Sequence, residues 1–296
     1  MNLFCFGLGY SAETLAQKNG DHFHAISGTV RTLDKANRLK RRGIHAIALE
    51  DSTSQLQVEA ALATSDCLLV SAAPDDAGDP MLRQFKRVLE SASQLKTIIY
   101  LSTIGVYGDH NGAWIDETTP LNATSERGKR RVEAEAAWLA FGQKHEIAVQ
   151  IHRLAGIYGP GRNVLQELKA GTARRIIKEN QVFNRIHVSD IAGAALAGFQ
   201  HPHVSGAFNI CDALPCPPQD VVAYGAKLLG MVPPPEIPFA EAQLSEMGRS
   251  FYSECKRCSN LRLRDVLGYT LRYPTYREGL NALAQTEPGH ADFPRK

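Results

Sequence analysis

The sequence predicts an α/β protein: a doubly wound parallel sheet with a smaller lobe after it. Three observations carry that expectation. Short apolar runs alternate with helical patterns through the first half of the chain. A glycine turn directly follows the first run. The regular alternation stops at Gly159-Pro160-Gly161, after which short strands and proline breaks take over. Strand–helix alternation places parallel strands side by side, covers both faces with helices and requires right-handed crossovers.

The elements follow in order. Residues 3–6 are wholly apolar and form a short buried strand, with a helix over 11–18. Residues 23–30 make the second strand and 34–42 a helix. A strand at 67–72, a helix at 81–93 and a strand at 97–101 come next. Residues 126–141 read as a long helix, with a strand over 148–153. Past residue 161 the pattern loosens: helices at 164–170, 221–229 and 241–247, and short strands at 184–188 and 207–210. Pro215-Cys216-Pro217-Pro218 and Pro233-Pro234-Pro235 are rigid breaks. The expected division is a domain over 1–160 and a smaller α/β lobe over 161–296, the lobe sending an element back to the first domain. The polar tail after Thr286 is expected to be loose.

Bulk properties exclude several classes. A length of 296 residues suits two domains, or one large domain with an appended lobe. The net charge of +2 is too small to argue for nucleic acid or a membrane surface as partner. No apolar run approaches the ~18 residues of a membrane helix. The N-terminus lacks the basic region of a signal peptide and enters a strand at once. Six cysteines therefore read as reduced thiols in a cytoplasmic protein, not a disulfide framework. Cys255-x-x-Cys258 and the Cys211, Cys216 pair supply the count for a zinc site but lack knuckle turns, so no metal is assigned.

The first turn reads F-G-L-G-Y-S-A from Phe6 to Ala12, between a strand and a helix. That context gives a G-x-G-x-x-A pattern meaning. Gly7 permits the tight turn, Gly9 lets backbone approach a pyrophosphate, and Ala12 allows close helix–strand packing. The helix start at Tyr10 and Ser11 then faces the phosphates. The second strand ends without the acidic residue that would bind a ribose 2′-hydroxyl, and Arg31 stands 22 positions after Gly9, beside Thr29 and Thr32. A guanidinium suits a 2′-phosphate, so NADP is expected ahead of NAD. After the strand beginning at Cys67, the small residues Ser71, Ala72 and Ala73 leave room for the adenosine-ribose face.

Further segments bear on chemistry: I-I-Y-L-S-T-I-G-V-Y-G-D over 98–109, P-L-N-A-T-S-E-R-G-K-R-R-V-E over 120–133, and R-L-A-G-I-Y-G-P-G-R over 153–162. Together with the glycine turn they resemble the extended short-chain dehydrogenase/reductase family, the epimerase/dehydratase-like enzymes on a Rossmann-type fold. The resemblance spans nearly the whole chain and is atypical at two places. The family's G-x-x-G-x-x-G is replaced by the pattern above, with Phe6 at the first glycine. Its Tyr-x-x-x-Lys, followed four residues later by Glu, is matched by Lys129 and Glu133, but Ser125 stands at the tyrosine.

The resemblance places Thr103 at the catalytic Ser/Thr position and Lys129 on the nicotinamide ribose. Hydride transfer needs a proton moved at the substrate oxygen. A phenol ionises near ~10, lower beside an ammonium; a serine hydroxyl is far less acidic and shorter. Ser125 is thus a helix-capping residue or a proton carrier working through water. Tyr158 is the alternative phenol, with His187 and Asp190 following it as candidate bases or as ties between the lobes. Arg162, Arg185 and Arg249 are candidates for binding an anionic substrate group. The expected activity is an NAD(P)-dependent oxidoreductase, epimerase or dehydratase reaction on a small polar substrate, including sugar-nucleotides, in a possible homodimer. The alternative is a non-catalytic NADP(H)-binding sensor.

Overall fold

The computed structural model describes residues 1–286; the expectation for the tail after Thr286 lies outside them. The first half runs β1 (Asn2–Phe6), α1 (Tyr10–Asn19), β2 (Ala25–Val30), α2 (Leu33–Lys40), β3 (His45–Ala48), α3 (Ser54–Ala63), β4 (Cys67–Val70), α4 (Pro80–Ser91), β5 (Thr97–Thr103), β6 (Trp114–Ile115), α5 (Glu126–His145) and β7 (Ala148–Leu154). The second half runs β8 (Gly156–Tyr158), α6 (Val164–Lys169), β9 (Arg175–Ile177), β10 (Arg185–His187), α7 (Val188–Phe199), β11 (Gly206–Ile210), α8 (Pro218–Leu228), β12 (Glu236–Pro238), α9 (Glu246–Phe251), β13 (Arg257–Cys258), α10 (Leu261–Leu267) and α11 (Tyr276–Thr286).

Seven strands form one sheet in the order β11-β7-β5-β4-β1-β2-β3, and every pair is parallel. All carboxyl ends therefore lie along one rim. The order reverses between β1 and β4, and such a switch opens a ligand crevice at the strand ends. One face is closed by Ala12 and Leu15 of α1, Leu39 of α2, Ile191, Ala195 and Phe199 of α7, and Leu263 and Leu267 of α10. The other is closed by Val58 and Leu62 of α3, Phe85 and Leu89 of α4, and Trp138 and Phe141 of α5. Smaller clusters around Leu165, Tyr276 and Leu280, around Leu168 and Ala226, and around Ile176, Ala242 and Tyr252 build the rest.

Some elements depart from expectation. The helix expected over 241–247 begins five residues later, because Ser245 caps it: its hydroxyl accepts from Gly248 N at 3.1 Å. Helix α7 has no amphipathic stripe. It is apolar nearly all round and is buried along its length, so periodicity does not mark it. Its two glycines, normally helix-weakening, are required by packing. A Cβ on Gly193 would lie 2.1 Å from the Tyr269 hydroxyl, and one on Gly198 2.4 Å from the Gln150 amide oxygen.

Candidate functional site

The site starts at the glycine turn. Gly7 has φ of +97°, and a Cβ there would sit 3.1 Å from Ala72 N and Ser71 Oγ. Only glycine suits both the angle and the space. Thr29 of β2 fixes this turn: its hydroxyl accepts from Gly7 N at 2.9 Å, and its carbonyl accepts from Leu8 N at 2.7 Å. Gly9 is the N-cap of α1, whose start has no side-chain cap. A Cβ on Gly9 would meet nothing within 4 Å. Open space over uncapped helix N–H groups is what a pyrophosphate requires. Ala12 is fully buried in the helix–sheet contact.

The neighbouring strand ends line the same rim. Ser71 and Ala72 both donate backbone N–H to Phe6 O, at 3.0 and 3.2 Å, which draws this segment against the glycine turn. Ala73 is exposed. Arg31 is exposed just beyond β2, immediately before Thr32, the N-cap of α2. Lys35, in the first turn of α2, escapes sequence reasoning: its Nζ donates to Leu8 O at 2.6 Å and pairs with Glu13 Oε1 at 2.7 Å. Tyr10 crosses the crevice: its hydroxyl donates to Pro160 O at 2.9 Å, joining the turn to the segment after β8.

Thr103 ends β5, and its hydroxyl accepts from Gly105 N at 3.1 Å. Ser125 is the N-cap of α5, accepting from Gly128 N at 3.1 Å. Lys129 is exposed, and its ammonium pairs with Glu126 at 2.7 Å. The two segments meet at Gly128, where a Cβ would lie 3.4 Å from Gly105 O. Ser125→Ala should cost about 1 kcal/mol through the lost cap, read as a lowered urea midpoint. An unchanged midpoint would mean that Ser125 does not hold the helix start.

Beneath Thr103 runs a buried polar network. Ser102 donates to Glu135, which is gripped bidentately by Arg153: Nη2 to Oε2 is 2.8 Å and Nε to Oε2 is 3.1 Å. Arg153 also donates to the Tyr107 hydroxyl at 2.8 Å, and Tyr107 donates to Asn209 Oδ1 at 2.8 Å. The network ties β5, α5, β7 and β11 together directly under the rim.

Tyr158 faces the other way. Its hydroxyl lies 3.5 Å from Thr275 O, and α11 accommodates it only because residue 279 is glycine. Burial, then the nearby Asp212, pushes the pKa of its phenol up, so it stays protonated. His187 is the N-cap of α7, its Nδ1 accepting from Ser189 N at 3.1 Å, and burial brings its pKa down to about 4. Asp190 accepts from the Tyr269 hydroxyl and from Arg272 N and Tyr273 N, clamping the C-terminal segment.

Asp212 is 1% exposed, and its Oδ2 has no hydrogen-bond partner among the described residues. Burial pushes its carboxyl up to about 7, against ~3.9 for an unfolded chain. Between those values the folded state keeps a proton that the unfolded state has lost, so stability falls as pH rises from about 4 to 7. Asp212→Asn should flatten this fall in urea midpoints measured across that range; an unchanged slope would exclude Asp212 as its source.

The three candidate arginines are held differently. Arg162 is exposed. Arg185 donates to Phe183 O and to Cys216, while Arg249 donates to Ala242 O and lies over the Phe239 ring. A carboxylate that sequence reasoning missed stands near the Ser125 segment. Glu254 accepts from the Thr124 hydroxyl at 3.4 Å and pairs with the buried Lys256 at 2.6 Å, and Lys256 donates to Gly108 O. Two surface depressions are present: one of about 210 Å³, lined by Asp109, Lys178, Ser253 and Cys255, lies beside Glu254, and one of about 320 Å³ is lined by Lys18, Tyr269 and Arg272. Cys211 donates to Cys258 O while Cys255 faces Asn180 O. Among the described residues no three His, Cys, Asp or Glu gather as metal ligands. No helix among them is long and apolar enough to cross a membrane.

The model of the NAD dependent epimerase/dehydratase family matches residues 12–211. The chain belongs to that family. It is 30% identical over 282 residues to Protein YeeZ of Escherichia coli K12, covering 90% of this chain and 94% of that one. A functionally unknown conserved protein from Silicibacter pomeroyi superposes with a TM-score of 0.87 at 43% identity, covering 96% of this chain and 98% of that one. The human epimerase family protein SDR39U1, solved with NADPH, shares the fold: TM-score 0.73 at 18% identity, covering 97% of this chain and 100% of that one. The chain thus has the fold of the NAD dependent epimerase/dehydratase family.

Proposed function

We propose that this family member binds a nicotinamide adenine dinucleotide across the carboxyl ends of β1, β2 and β4, prefers NADPH, and acts on a small polar substrate held between the rim and the lobe after residue 160. The open space over Gly9 at the uncapped start of α1 carries the reading. Gly7, Gly9, Tyr10, Ser11 and Ala12 shape the pyrophosphate cradle. Ser71, Ala72 and Ala73 flank the ribose, and Arg31 favours a 2′-phosphate. The bound dinucleotide would supply hydride chemistry. Thr103 would orient a substrate oxygen at the end of β5. In this reading Glu254, beside Thr124, rather than Tyr158, held against Thr275, would exchange a proton at that end of the crevice.

One observation favours a non-catalytic NADP(H) sensor instead. The Ser125 hydroxyl is used as a helix cap and the Lys129 ammonium is paired with Glu126, so neither is poised as a tyrosine–lysine couple. Fluorescence titration with NADPH and NADH, followed by a turnover screen against sugar-nucleotides and small carbonyls, separates the readings. Binding with turnover supports the enzyme, and binding without turnover on any substrate supports the sensor. Failure to bind either nucleotide sinks both. Arg31→Ala should weaken NADPH selectively, by about tenfold; equal loss for NADH would overturn the cofactor preference.

A further inference from the structure

A groove of about 320 Å³ runs between α1, α7 and the segment that follows α10. That volume falls at the lower end of small-molecule sites, roughly 300–1,000 Å³. Its lining reaches along α7 from Ser189 to Gln200, about 16 Å of helix. The floor is apolar: Leu196, Ala197 and Leu267 lie there, each largely buried. Gly193 admits the Tyr269 ring, which forms one wall, and Gly268, at φ +62°, ends α10 and turns the chain into that wall. No acidic residue lines the groove, whereas Lys18 and Arg272 both do. Neither makes an ion pair among the described residues. Asp190 is fully buried and held by the Tyr269 hydroxyl and the Arg272 and Tyr273 amides, so it offers the groove no exposed oxygen. Burial comes first in holding His187 unprotonated, and the charges of Lys18 and Arg272 add to it, so both fields reach the start of α7.

We propose that this groove is a further ligand site, for an elongated amphipathic anion whose carboxylate or phosphate head lies between Lys18 and Arg272 and whose short alkyl or aryl body lies along Leu196, Ala197 and Tyr269. The site is independent of the dinucleotide reading. Ammonium and guanidinium both donate to anionic oxygens, and a guanidinium does so through two parallel bonds. The body contributes by leaving water, in proportion to the apolar area it covers. Neither half suffices alone: exposed cations hold a bare anion weakly, and a short chain without a head buries little surface. Lys18 stands in the last turn of α1 and Arg272 in the C-terminal segment, so a bound anion adds a tie between two elements far apart in sequence. Such a ligand stabilises the fold by mass action.

The test uses the full chain and ligand-observed NMR titrations with hexanoate, hexyl phosphate, acetate, hexan-1-ol and hexylamine. Hexanoate or hexyl phosphate should bind at least about tenfold more tightly than acetate, hexan-1-ol or hexylamine, and the tighter of the two identifies the head. At saturation it should also raise the urea midpoint. Lys18→Glu and Arg272→Glu should each weaken that probe by about tenfold. Both side chains are exposed, and Arg272→Glu keeps the backbone amide that Asp190 accepts, so ligand-free urea midpoints should stay near wild type. Lys86→Glu makes the same charge change on α4, across the sheet from α1 and α7, and should leave binding unchanged. The site is overturned if neither amphipathic anion outbinds acetate and hexan-1-ol, if either groove variant keeps wild-type affinity, or if Lys86→Glu loses as much.

Discussion

Glu135→Gln or Arg153→Met, made singly, is expected to lower the unfolding free energy by about 3–5 kcal/mol, because each strands a buried charge. Glu135 is 2% exposed and Arg153 6%, so neither remaining partner can turn to water. The loss spreads along the network: Ser102 and Arg153 compete for one remaining amide oxygen in one case, and the Tyr107 hydroxyl loses a donor in the other. An apolar pair of similar volume, Glu135→Leu with Arg153→Met, removes both charges together and should recover most of the stability. Urea unfolding of the three variants checks this. Single variants within about 1 kcal/mol of wild type would mean that the pair is solvated in solution, contrary to the geometry.

Gly9→Leu should leave the fold nearly intact and cost at least about a hundredfold in NADPH affinity. The backbone there has φ −95° and ψ −168°, which any residue adopts, and a Cβ meets nothing within 4 Å. The added side chain instead fills the space in which the pyrophosphate would lie. Gly7→Ala makes the contrast. At φ +97°, with Ala72 N 3.1 Å from the new carbon, it should destabilise the fold itself by about 1–3 kcal/mol. The diagnostic pattern is loss of binding without loss of stability at Gly9. Wild-type affinity in Gly9→Leu would remove the cradle from consideration.

Much of the rim was legible because its signals are local. The strand–turn–helix at 2–19 announces itself within eighteen consecutive residues, and Arg31 beyond β2 and the hydroxyls ending β5 are equally local signals. Ser125 was legible too, as a serine preceding a helical run, and its capping bond is the ordinary consequence. What sequence did not disclose is long-range pairing. Lys35 meets Glu13 across 22 residues and Glu254 meets Thr124 across 130, and no periodicity encodes either. Helix α7 was hidden for a different reason: burial on all sides erases the polar face by which helices are recognised.

The outermost strand of the sheet has a consequence for how the molecule is made. Residues 206–210 pair along β7 for five positions. During synthesis β7 leaves the ribosome with one edge bare, and that edge stays open until some fifty further residues have emerged. The interval is an aggregation hazard, because an exposed parallel edge accepts any extended chain. The same stretch carries α7, whose Ile191, Ala195 and Phe199 close one face of the sheet beside α1. Stopping the chain near residue 160 should therefore yield not a smaller nucleotide-binding unit but a sticky intermediate.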